Sequence, residues 1–414
     1  MSNFRLNLSD TATAFASKTD ADLQKKYWLF SLMGSPVLTN LGTRSAELGL
    51  SFGLPIKFLI KQTIFRQFCG GETIAECEPV IQDLGRSNIG TILDYSIEGK
   101  SDEATFENTK NEILKVIMRA DHDRNVPFAV FKITGIARFE LLEKLSAGQE
   151  LSPSEQAEWE RARKRVTELC ETAFKLKQPT FIDAEESWIQ DPIDDLVAEM
   201  MSRFNQSEAI IYNTIQLYRH DRLEFLKKSF QAAAAGNYFL GVKLVRGAYM
   251  EKERARAEER GYPSPIQPHK EAADRDYDEA LRFCLDHIER ISFVCGSHNE
   301  ESVQLVARLM HERGLPNDHP HIYFSQLYGM SDNLSYVLAK QGYNVSKYVP
   351  YGPVKDALPY LIRRARENTS VMGQMSRELD LINQEIKRRK QPQAKSFPVR
   401  AQENENVLPE MRKR

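Results

Sequence analysis

Hydrophobic positions follow two alternating patterns from residue 88 onward. Short runs rich in β-branched and aromatic residues alternate with longer segments in which apolar residues recur every three or four positions. These are the patterns of buried strands and amphipathic helices. The apolar runs cover residues 89–98, 127–137, 179–187, 209–218, 238–249, 291–299, 321–330 and 343–352. Eight such strand–helix units over roughly 260 residues predict an α/β fold of the (βα)₈, TIM-like type.

The main alternative is a doubly wound open sheet. In its dinucleotide-binding form, this fold carries a glycine-rich turn of the type GxGxxG after its first strand. No two glycines of this chain are separated by a single residue, so the sequence contains no such motif. The sequence therefore argues against a nicotinamide or flavin site of the Rossmann type and favours the barrel.

The flanking segments follow other patterns and divide the chain into four parts. The polar residues 1–25 predict a mobile arm, and the apolar, helical pattern of 26–87 predicts an all-helical N-terminal region. We expect the barrel to occupy 88–375. Residues 376–414 predict a C-terminal helix and then a tail that is disordered from about Gln391, because charged residues and prolines replace apolar ones there.

Two segments exceed the connections that a plain barrel needs. Residues 138–178 predict one long, charged helical connection, in which Ser152, Pro153 and Glu155 mark a helix start. Residues 251–276 are rich in charge and contain prolines, and they predict a long loop. Long loops in compact domains are commonly functional.

Charge and cysteine content narrow the class of protein. The net charge is −2 and the pI about 6.5, which does not favour a nucleic-acid partner. The five cysteines are scattered without a CxxC pair, which is typical of a reducing compartment and gives no metal site. The first 20 residues lack the apolar core of a signal peptide, and the weakly charged segment 45–58 is too short to span a bilayer. We expect a cytoplasmic protein and leave peripheral contact with the inner face of the membrane open.

Polar side chains recur where the predicted strands end. In a (βα)₈ barrel these positions face one pocket. The candidates are Asp94, Glu98, Lys132, Asp183, Glu185, Glu186, Asn213, Gln216, Lys243, Arg246, Tyr249, Ser297, His298, Asn299, Gln326, Tyr328 and Tyr348. Arg363 and Arg364 follow on the helix after the last strand. This mixture of cations, acids and aromatic rings predicts an enzyme that acts on a small carboxylic acid, with a phosphate-bearing cofactor as an option.

Each of these positions also has a purely structural interpretation. An arginine pair often lies on a solvated helix face, and an aspartate after a strand often forms a turn. A buried histidine such as His298 is often no more than a satisfied core residue. Residue chemistry alone leaves these alternatives open.

Several stretches together resemble the proline dehydrogenase (proline oxidase) family. They are KLVRGAYMEKERARAEERGYPSPI (243–266), SHNEES (297–302), FSQLYGMSD (324–332), KYVPYGPVKDALPYLIRRARENTS (347–370) and, upstream, FIDAEES (181–187). The resemblance covers roughly residues 88–375 and is closest to the stand-alone enzymes of mitochondrial type. It implies a distorted (βα)₈ barrel that binds FAD without a Rossmann fold. It also implies oxidation of L-proline to Δ¹-pyrroline-5-carboxylate, with electrons passed to a membrane quinone.

The resemblance further implies how the substrate is held. Arg363 and Arg364, joined by Lys132, are expected to bind the proline carboxylate. The pyrrolidine ring is expected to pack against Tyr249, Leu327 and Tyr348. The catalytic set implied is Asp183, Lys132, Arg363, Arg364 and Tyr348, with hydride transfer from C5 to flavin N5. Glu98 is expected to pair with Arg363 and to close the site as a gate.

A second group of residues is implied as the FAD site. It comprises Asp183, Gln216, Lys243, Val245, Gly247, Ala248, Ser297, His298, Asn299, Gln326, Arg364, Glu367 and Ser370. The chain departs from some relatives at two positions, where it has Lys243 in place of arginine and Met250 in place of tryptophan. No metal is expected.

Three alternatives remain at this stage. A hydroxyproline dehydrogenase would share the fold, although the bulk of Tyr348 should disfavour a 4-hydroxyl group. A (βα)₈ lyase would form a Schiff base on Lys132. A non-enzymatic helical adaptor would use residues 27–82 and the basic tail.

Overall fold

A closed barrel of parallel strands forms the centre of the protein. The computed structural model describes residues 4–33, 57–95, 102–370 and 372–391. Within these residues, eight strands pair in sequence order and the last pairs with the first. They are β1 (Ile89–Tyr95), β2 (Phe128–Lys132), β3 (Thr180–Asp183), β4 (Ile211–Gln216), β5 (Leu240–Val245), β6 (Ile291–Gly296), β7 (Ile322–Leu327) and β8 (Val345–Tyr351). The predicted barrel is confirmed, and the alternative of an open sheet is wrong.

Helices surround the barrel and also precede and follow it. In chain order they are α1 (Thr11–Ala14), α2 (Asp20–Met33), α3 (Lys57–Ile60), a π-helical turn (Lys61–Phe65), α4 (Arg66–Phe68), α5 (Ile74–Gly85), α6 (Glu103–Ala120), a 3₁₀ turn (Ile133–Gly135), α7 (Phe139–Ser146), α8 (Pro153–Lys175), α9 (Ser187–Phe204), α10 (Arg222–Ala235), α11 (Met250–Arg260), α12 (Lys270–Asp286), α13 (Glu300–Glu312), α14 (Asp332–Lys340), α15 (Val354–Ser370) and α16 (Met372–Lys390).

Strand pairing is uneven around the barrel. β1 and β8 pair over seven positions, from Ile89 opposite Val345 to Tyr95 opposite Tyr351. β1 and β2 pair at only two, Ile92 with Phe128 and Leu93 with Ala129. Because all strands are parallel, their carboxyl ends share one rim, and the polar strand-end residues are brought to that rim.

Four clusters of buried apolar residues lie within the described part of the chain, and two of them are large. The larger one lies mainly between the strands and the surrounding helices. A second cluster joins α2 and the 57–68 segment to α15 and α16, through residues such as Phe30, Phe68, Leu361 and Ile382. The helix that carries Arg363 and Arg364 is therefore packed against the N-terminal region.

The structure corrects the predicted mobile arm. Over the described residues 4–25, the chain folds onto the outside of the barrel. Leu6 exchanges two hydrogen bonds with the amide of Gln304, and the ring of Phe4 stacks on His311 at 4.6 Å. Leu6 and Leu8 are buried. The apolar residues at alternate positions explain the packing, since they supply one face that can be removed from water.

The two predicted insertions are also more regular than expected. Residues 138–178 form two helices, α7 and α8, and the Ser152 start is confirmed as a capping box with Glu155. The predicted loop 251–276 is confirmed only over 261–269 and is wrong at both ends, because α11 covers Met250–Arg260 and α12 begins at Lys270. In the described part of the chain, no helix is long and apolar enough to cross a membrane. The predicted tail after Gln391 lies outside the described residues.

Candidate active site

A cluster of paired charges lies at the carboxyl rim of the barrel. The Lys132 ammonium, at the end of β2, lies 3.1 and 3.2 Å from the two carboxylate oxygens of Asp94 on β1. It also lies 3.5 Å from Asp183 Oδ2 at the end of β3. Lys243, on β5, pairs with the other carboxylate oxygen of Asp183. Four strands thus converge on two carboxylates and two ammonium groups.

Tyr348, on β8, lies at the centre of this cluster. Its hydroxyl donates to Asp183 Oδ2 at 2.7 Å and receives a hydrogen bond of 3.3 Å from Lys132. The Lys243 ammonium lies 5.1 Å from the centre of its ring, within the range of a cation–π contact. Burial, followed by the charges of Asp183 and Asp94, raises the pKa of the Tyr348 hydroxyl well above its usual value. Tyr348 therefore stays a neutral donor with a fixed ring.

Asp183 stays ionised in spite of its burial. Burial alone raises the pKa of this carboxyl, but the cations Lys243 and Lys132 more than offset that effect. The net pKa is lower than the usual value of an aspartate. Asp183 is therefore a fixed negative charge at the rim and a poor proton acceptor.

Asp94 was recognised from the sequence only as a strand-end residue, and its contact with Lys132 was missed. Only 2% of Asp94 is exposed, and both of its oxygens contact the Lys132 ammonium. Strand periodicity could have placed it at the rim. The identity of its partner could not be predicted, because that depends on the β1–β2 register.

Arg363 and Arg364 lie on α15, which follows β8 after a short turn. Gly352 in this turn has φ of +140°, a conformation that residues with a side chain rarely adopt. The Arg363 guanidinium lies 5.9 Å from the centre of the Tyr249 ring, which follows β5. Only 7% of Arg364 is exposed. Leu327 lies opposite Tyr348 in the β7–β8 register.

The β6 side of the rim is a network of neutral hydrogen bonds. His298 Nδ1 lies 2.8 Å from the hydroxyl of Ser331, and the Leu327 amide donates to His298 Nε2 at 3.4 Å. Burial, followed by the charges of Lys347 and Arg364, lowers the pKa of His298 to about 3. The imidazole is therefore neutral at physiological pH.

Two predicted cofactor contacts have internal partners in the structure. The side-chain oxygen of Asn299 accepts hydrogen bonds from Glu301 N and Ser302 N and so caps α13. The Gln326 amide donates to Ser297 O at 3.1 Å and accepts from the Ser335 hydroxyl at 2.8 Å. A cofactor role for these two residues stays a prediction.

Gln216 gives the most direct test of whether a flavin fits. The Gln216 amide nitrogen donates to Glu185 O at 3.0 Å, while its buried oxygen has no hydrogen-bond partner among the described residues. A buried acceptor without a partner is costly and is satisfied by a ligand N–H group. Gly247 has φ of +134°, and a Cβ at this position would clash with the ring of Tyr218, so close packing of that ring explains the glycine. The buried oxygen of Gln216, together with the buried cation Lys243, fits the edge of a flavin ring.

Glu185 is a further carboxyl at the rim, two residues beyond Asp183. Its oxygens accept hydrogen bonds from the amide of Thr134, at 3.0 Å, and from the Thr134 hydroxyl. Burial raises its pKa to about 8, an effect that the bonds from Thr134 only partly oppose. The sequence pattern placed this residue at a strand end but gave no indication of the raised pKa.

Three predicted residues cannot be placed. Glu98, the expected gate, lies outside the described residues. The backbones of Glu367 and Ser370 belong to α15, but their side chains lie outside the described part of the chain. Val245 ends β5 opposite Gln216, and Ala248 follows two residues after Arg246.

Comparison with known proteins shows which families and folds the chain is similar to. The family profile described as "Proline dehydrogenase" matches residues 77–377. The protein named "Proline dehydrogenase 1, mitochondrial" from Dictyostelium discoideum is 31% identical, over 94% of this chain and 76% of that protein. The hydroxyproline dehydrogenase of Xenopus laevis is 33% identical, over 80% of this chain and 78% of that protein.

The fold also has solved counterparts. Proline utilization A from Bdellovibrio bacteriovorus, inactivated by N-propargylglycine, superposes with a TM-score of 0.69 at 20% identity. The match covers 87% of this chain but only 38% of that longer chain. At this identity the likeness concerns the fold.

Proposed function

Since the chain belongs to the proline dehydrogenase family and is an oxidoreductase of proline, we propose that it binds FAD and passes electrons to a membrane quinone. The observation that carries this proposal is the arrangement of Lys132, Asp183, Lys243 and Tyr348 at one rim of a (βα)₈ barrel, followed by the arginine pair of α15. The proposed reaction needs no strong general base. Both carboxylates of the cluster are paired with a lysine, Asp94 with Lys132 and Asp183 with Lys243.

Arg363 and Arg364 bind the carboxylate of proline in this proposal. Guanidinium groups match a carboxylate with two parallel hydrogen bonds, which fixes orientation as well as position. Lys132 adds a cation from the other side of the rim. Orientation matters because C5 of the ring must lie at reacting distance from the acceptor.

Tyr348, Tyr249 and Leu327 form the walls around the ring. The hydroxyl of Tyr348 is held by Asp183 and Lys132, so its ring cannot swing away from the site. Asp183 lies on the side of the amine and attracts the substrate ammonium as a fixed negative charge. Because the pKa of Asp183 is lowered, the ammonium proton is lost to water and not to this carboxylate.

Gln216, Lys243, Val245, Gly247 and Ala248 hold the flavin in this proposal. The unsatisfied oxygen of Gln216 is available to an N–H group of the ring, and Lys243 supplies a positive charge. When bound, FAD would supply the acceptor, its N5 atom, for the hydride that leaves C5 of proline. The roles of Ser297, His298, Asn299, Gln326, Glu367 and Ser370 toward FAD, and of Glu98 as a gate, belong to the same proposal.

The visible absorption spectrum tests the proposal. We expect a yellow protein whose flavin absorbance is bleached anaerobically by L-proline and restored by a soluble quinone. D-proline serves as the control, because its carboxylate and C5 cannot both reach their positions. A colourless protein that is trapped by borohydride with a carbonyl compound would instead support a Schiff-base lyase that uses Lys132.

Location at the inner face of the membrane is part of the proposal and rests on the quinone. It is tested by sedimentation with vesicles that do or do not contain the quinone. We expect the protein to sediment with vesicles that contain quinone. Equal sedimentation with vesicles that lack quinone, with or without proline, would show that the protein adheres to lipid for a reason unrelated to electron transfer.

A hydroxyproline dehydrogenase is the second candidate, because one relative at 33% identity carries that name. The fixed ring of Tyr348 supports proline as the better substrate, since a 4-hydroxyl group would meet its bulk. We expect kcat/KM to be higher with L-proline than with trans-4-hydroxy-L-proline. The reverse order would overturn this preference and leave the fold and the flavin assignment intact.

A further inference from the structure

We propose that Glu72 is a positioning residue for the substrate-binding arginines and that it acts through the amino end of α15. Glu72 ends a segment of six residues, 67–72, which we call the strap. The strap joins the N-terminal helices to the loops that follow β7 and β8. This inference rests on the proposed function, because it concerns how Arg363 and Arg364 are held in place for the proline carboxylate.

The strap is bonded through its backbone to the end of β8. The Gly70 amide donates to Pro350 O at 2.9 Å, and the Gly352 amide donates to Gly71 O at 3.1 Å. These two bonds lie on either side of Tyr351, three residues after Tyr348. The strap therefore continues the hydrogen bonding of β8 into the turn that leads to α15.

A third bond reaches the loop after β7. The Gln67 side-chain amide donates to Gly329 O at 2.7 Å. Gly329 lies two residues after Leu327, which is part of the proposed substrate wall. The same six residues thus contact both loops on this side of the site.

Glu72 contacts the first residue of α15. Its Oε2 accepts a hydrogen bond of 3.3 Å from the amide of Val354. The first amides of a helix have no partner inside the helix, and a negative charge there is favourable. Residues at the start of a helix usually supply this contact themselves. Here it comes from a residue 282 positions earlier in the chain.

Glu72 is itself held in place from the opposite side. Lys61, in the π-helical turn, lies 2.7 Å from Glu72 Oε1, and the Glu72 amide donates to Glu76 Oε2 at 3.1 Å. Lys61 also contacts Glu76, at 3.2 Å. One carboxylate oxygen of Glu72 therefore binds the N-terminal region and the other binds α15.

Loss of the contact between Glu72 and the Val354 amide should change the position of Arg363 and Arg364. α15 runs without a break from Val354 to Ser370, with Pro359 inside it. We therefore expect a shift of its first turn as a unit to move Arg363 and Arg364, which lie nine and ten residues after Val354. The walls on β7 and β8 keep their own contacts. A variant at Glu72 should weaken recognition of the carboxylate more than recognition of the pyrrolidine ring.

The test compares Glu72→Ala with wild type in steady-state assays with L-proline. We expect KM to rise about fivefold, the effect of losing one helix cap, with kcat within about twofold. Inhibition by pyrrolidine, which is proline without its carboxylate, should keep its Ki. Glu72→Gln keeps an acceptor for the Val354 amide and should restore most of the affinity. It also remains informative if the alanine variant folds poorly.

Glu78→Ala is the matched control, because Glu78 lies on α5 as Glu76 does but pairs with Arg119, and it contacts neither Glu72 nor α15 among the described residues. Its KM should stay within twofold of wild type. An equal rise in KM in Glu78→Ala, an equal loss of pyrrolidine binding, or an unchanged KM in Glu72→Ala would each overturn the role of Glu72. Wild-type protein that does not respond to proline would overturn the proposed function itself, which is a separate result.

Discussion

The two ends of the barrel differ sharply although the same strands build both. At the amino end, Phe128 stacks on Phe181 at 4.4 Å, and Tyr212 and Tyr323 meet Phe128 edge-on. At the carboxyl end, the same β2 and β3 present Lys132 and Asp183. Two to four residues thus separate an aromatic core from a cluster of charges. β2 and β3 therefore each contribute to the packed core at the amino end and to the charged site at the carboxyl end.

The largest expected effect is on the aromatic end. Phe128→Ala removes a buried ring and leaves a cavity, so we expect the free energy of unfolding to fall by about 3–5 kcal/mol. Denaturant unfolding followed by circular dichroism measures this loss. If the two ends are independent, KM for proline of the remaining folded protein stays within about twofold. A tenfold rise in KM would show that the aromatic end and the charged end are not independent.

The converse variant is Arg363→Met at the carboxyl end. Loss of a guanidinium that binds a carboxylate should raise KM for L-proline about 100-fold. The flavin spectrum and the midpoint of unfolding should stay close to wild type. Arg282→Met, on the exposed side of α12, is the control and should change neither. Loss of flavin from Arg363→Met would contradict its assignment to the substrate.

Glu185 makes the free energy of unfolding depend on pH. Its pKa is about 8 in the folded protein, against about 4.5 for an ordinary glutamate, so the folded state keeps a proton that the unfolded state loses. Stability from this group is complete below pH 4.5 and is lost progressively up to about pH 8. Glu185→Gln should therefore gain about 2 kcal/mol relative to wild type on going from pH 6 to pH 8. Parallel stability curves for the two proteins would show that Glu185 titrates normally.

The smallest expected effect is that of Tyr348→Phe. The variant keeps the ring but loses the hydroxyl bonds to Asp183 and Lys132, and an internal bond to a charged group contributes about 1.5 kcal/mol to stability. We expect the free energy of unfolding to fall by about that amount, and kcat/KM for proline to fall about tenfold because the ring is no longer fixed. Wild-type kcat/KM would mean that the charge pairs alone keep the ring in place.

The strands were predictable because each is buried on both faces and therefore reads as a continuous apolar run. The structure places each of the eight within a predicted run. Their polar ends follow from the same pattern, which is why Lys132, Asp183, Lys243 and Tyr348 could be assigned to one rim. Their mutual contacts needed the register between strands, and no local pattern contains that information.

α11 was not predictable as a helix from hydrophobic periodicity. Its sequence, MEKERARAEER, has almost no apolar face, although alanine, glutamate and arginine favour helices. It is anchored by one buried carboxylate, Glu253, which accepts two hydrogen bonds of 2.6 Å from Ser187. The position of α11 therefore depends on contacts with distant parts of the chain, such as this one between residues 66 positions apart. The strap was missed for the same reason.

The position of the strap has a practical consequence for anyone who shortens this protein. The family profile begins to match at residue 77, so its boundary excludes the six residues 67–72. A chain trimmed to that boundary would retain all eight strands and the arginine pair. It would also leave the start of α15 without Glu72. Such a fragment would also expose the face of α15 that Phe30 and Phe68 cover, so a loss of substrate affinity in it would reflect the missing N-terminal residues and not the barrel.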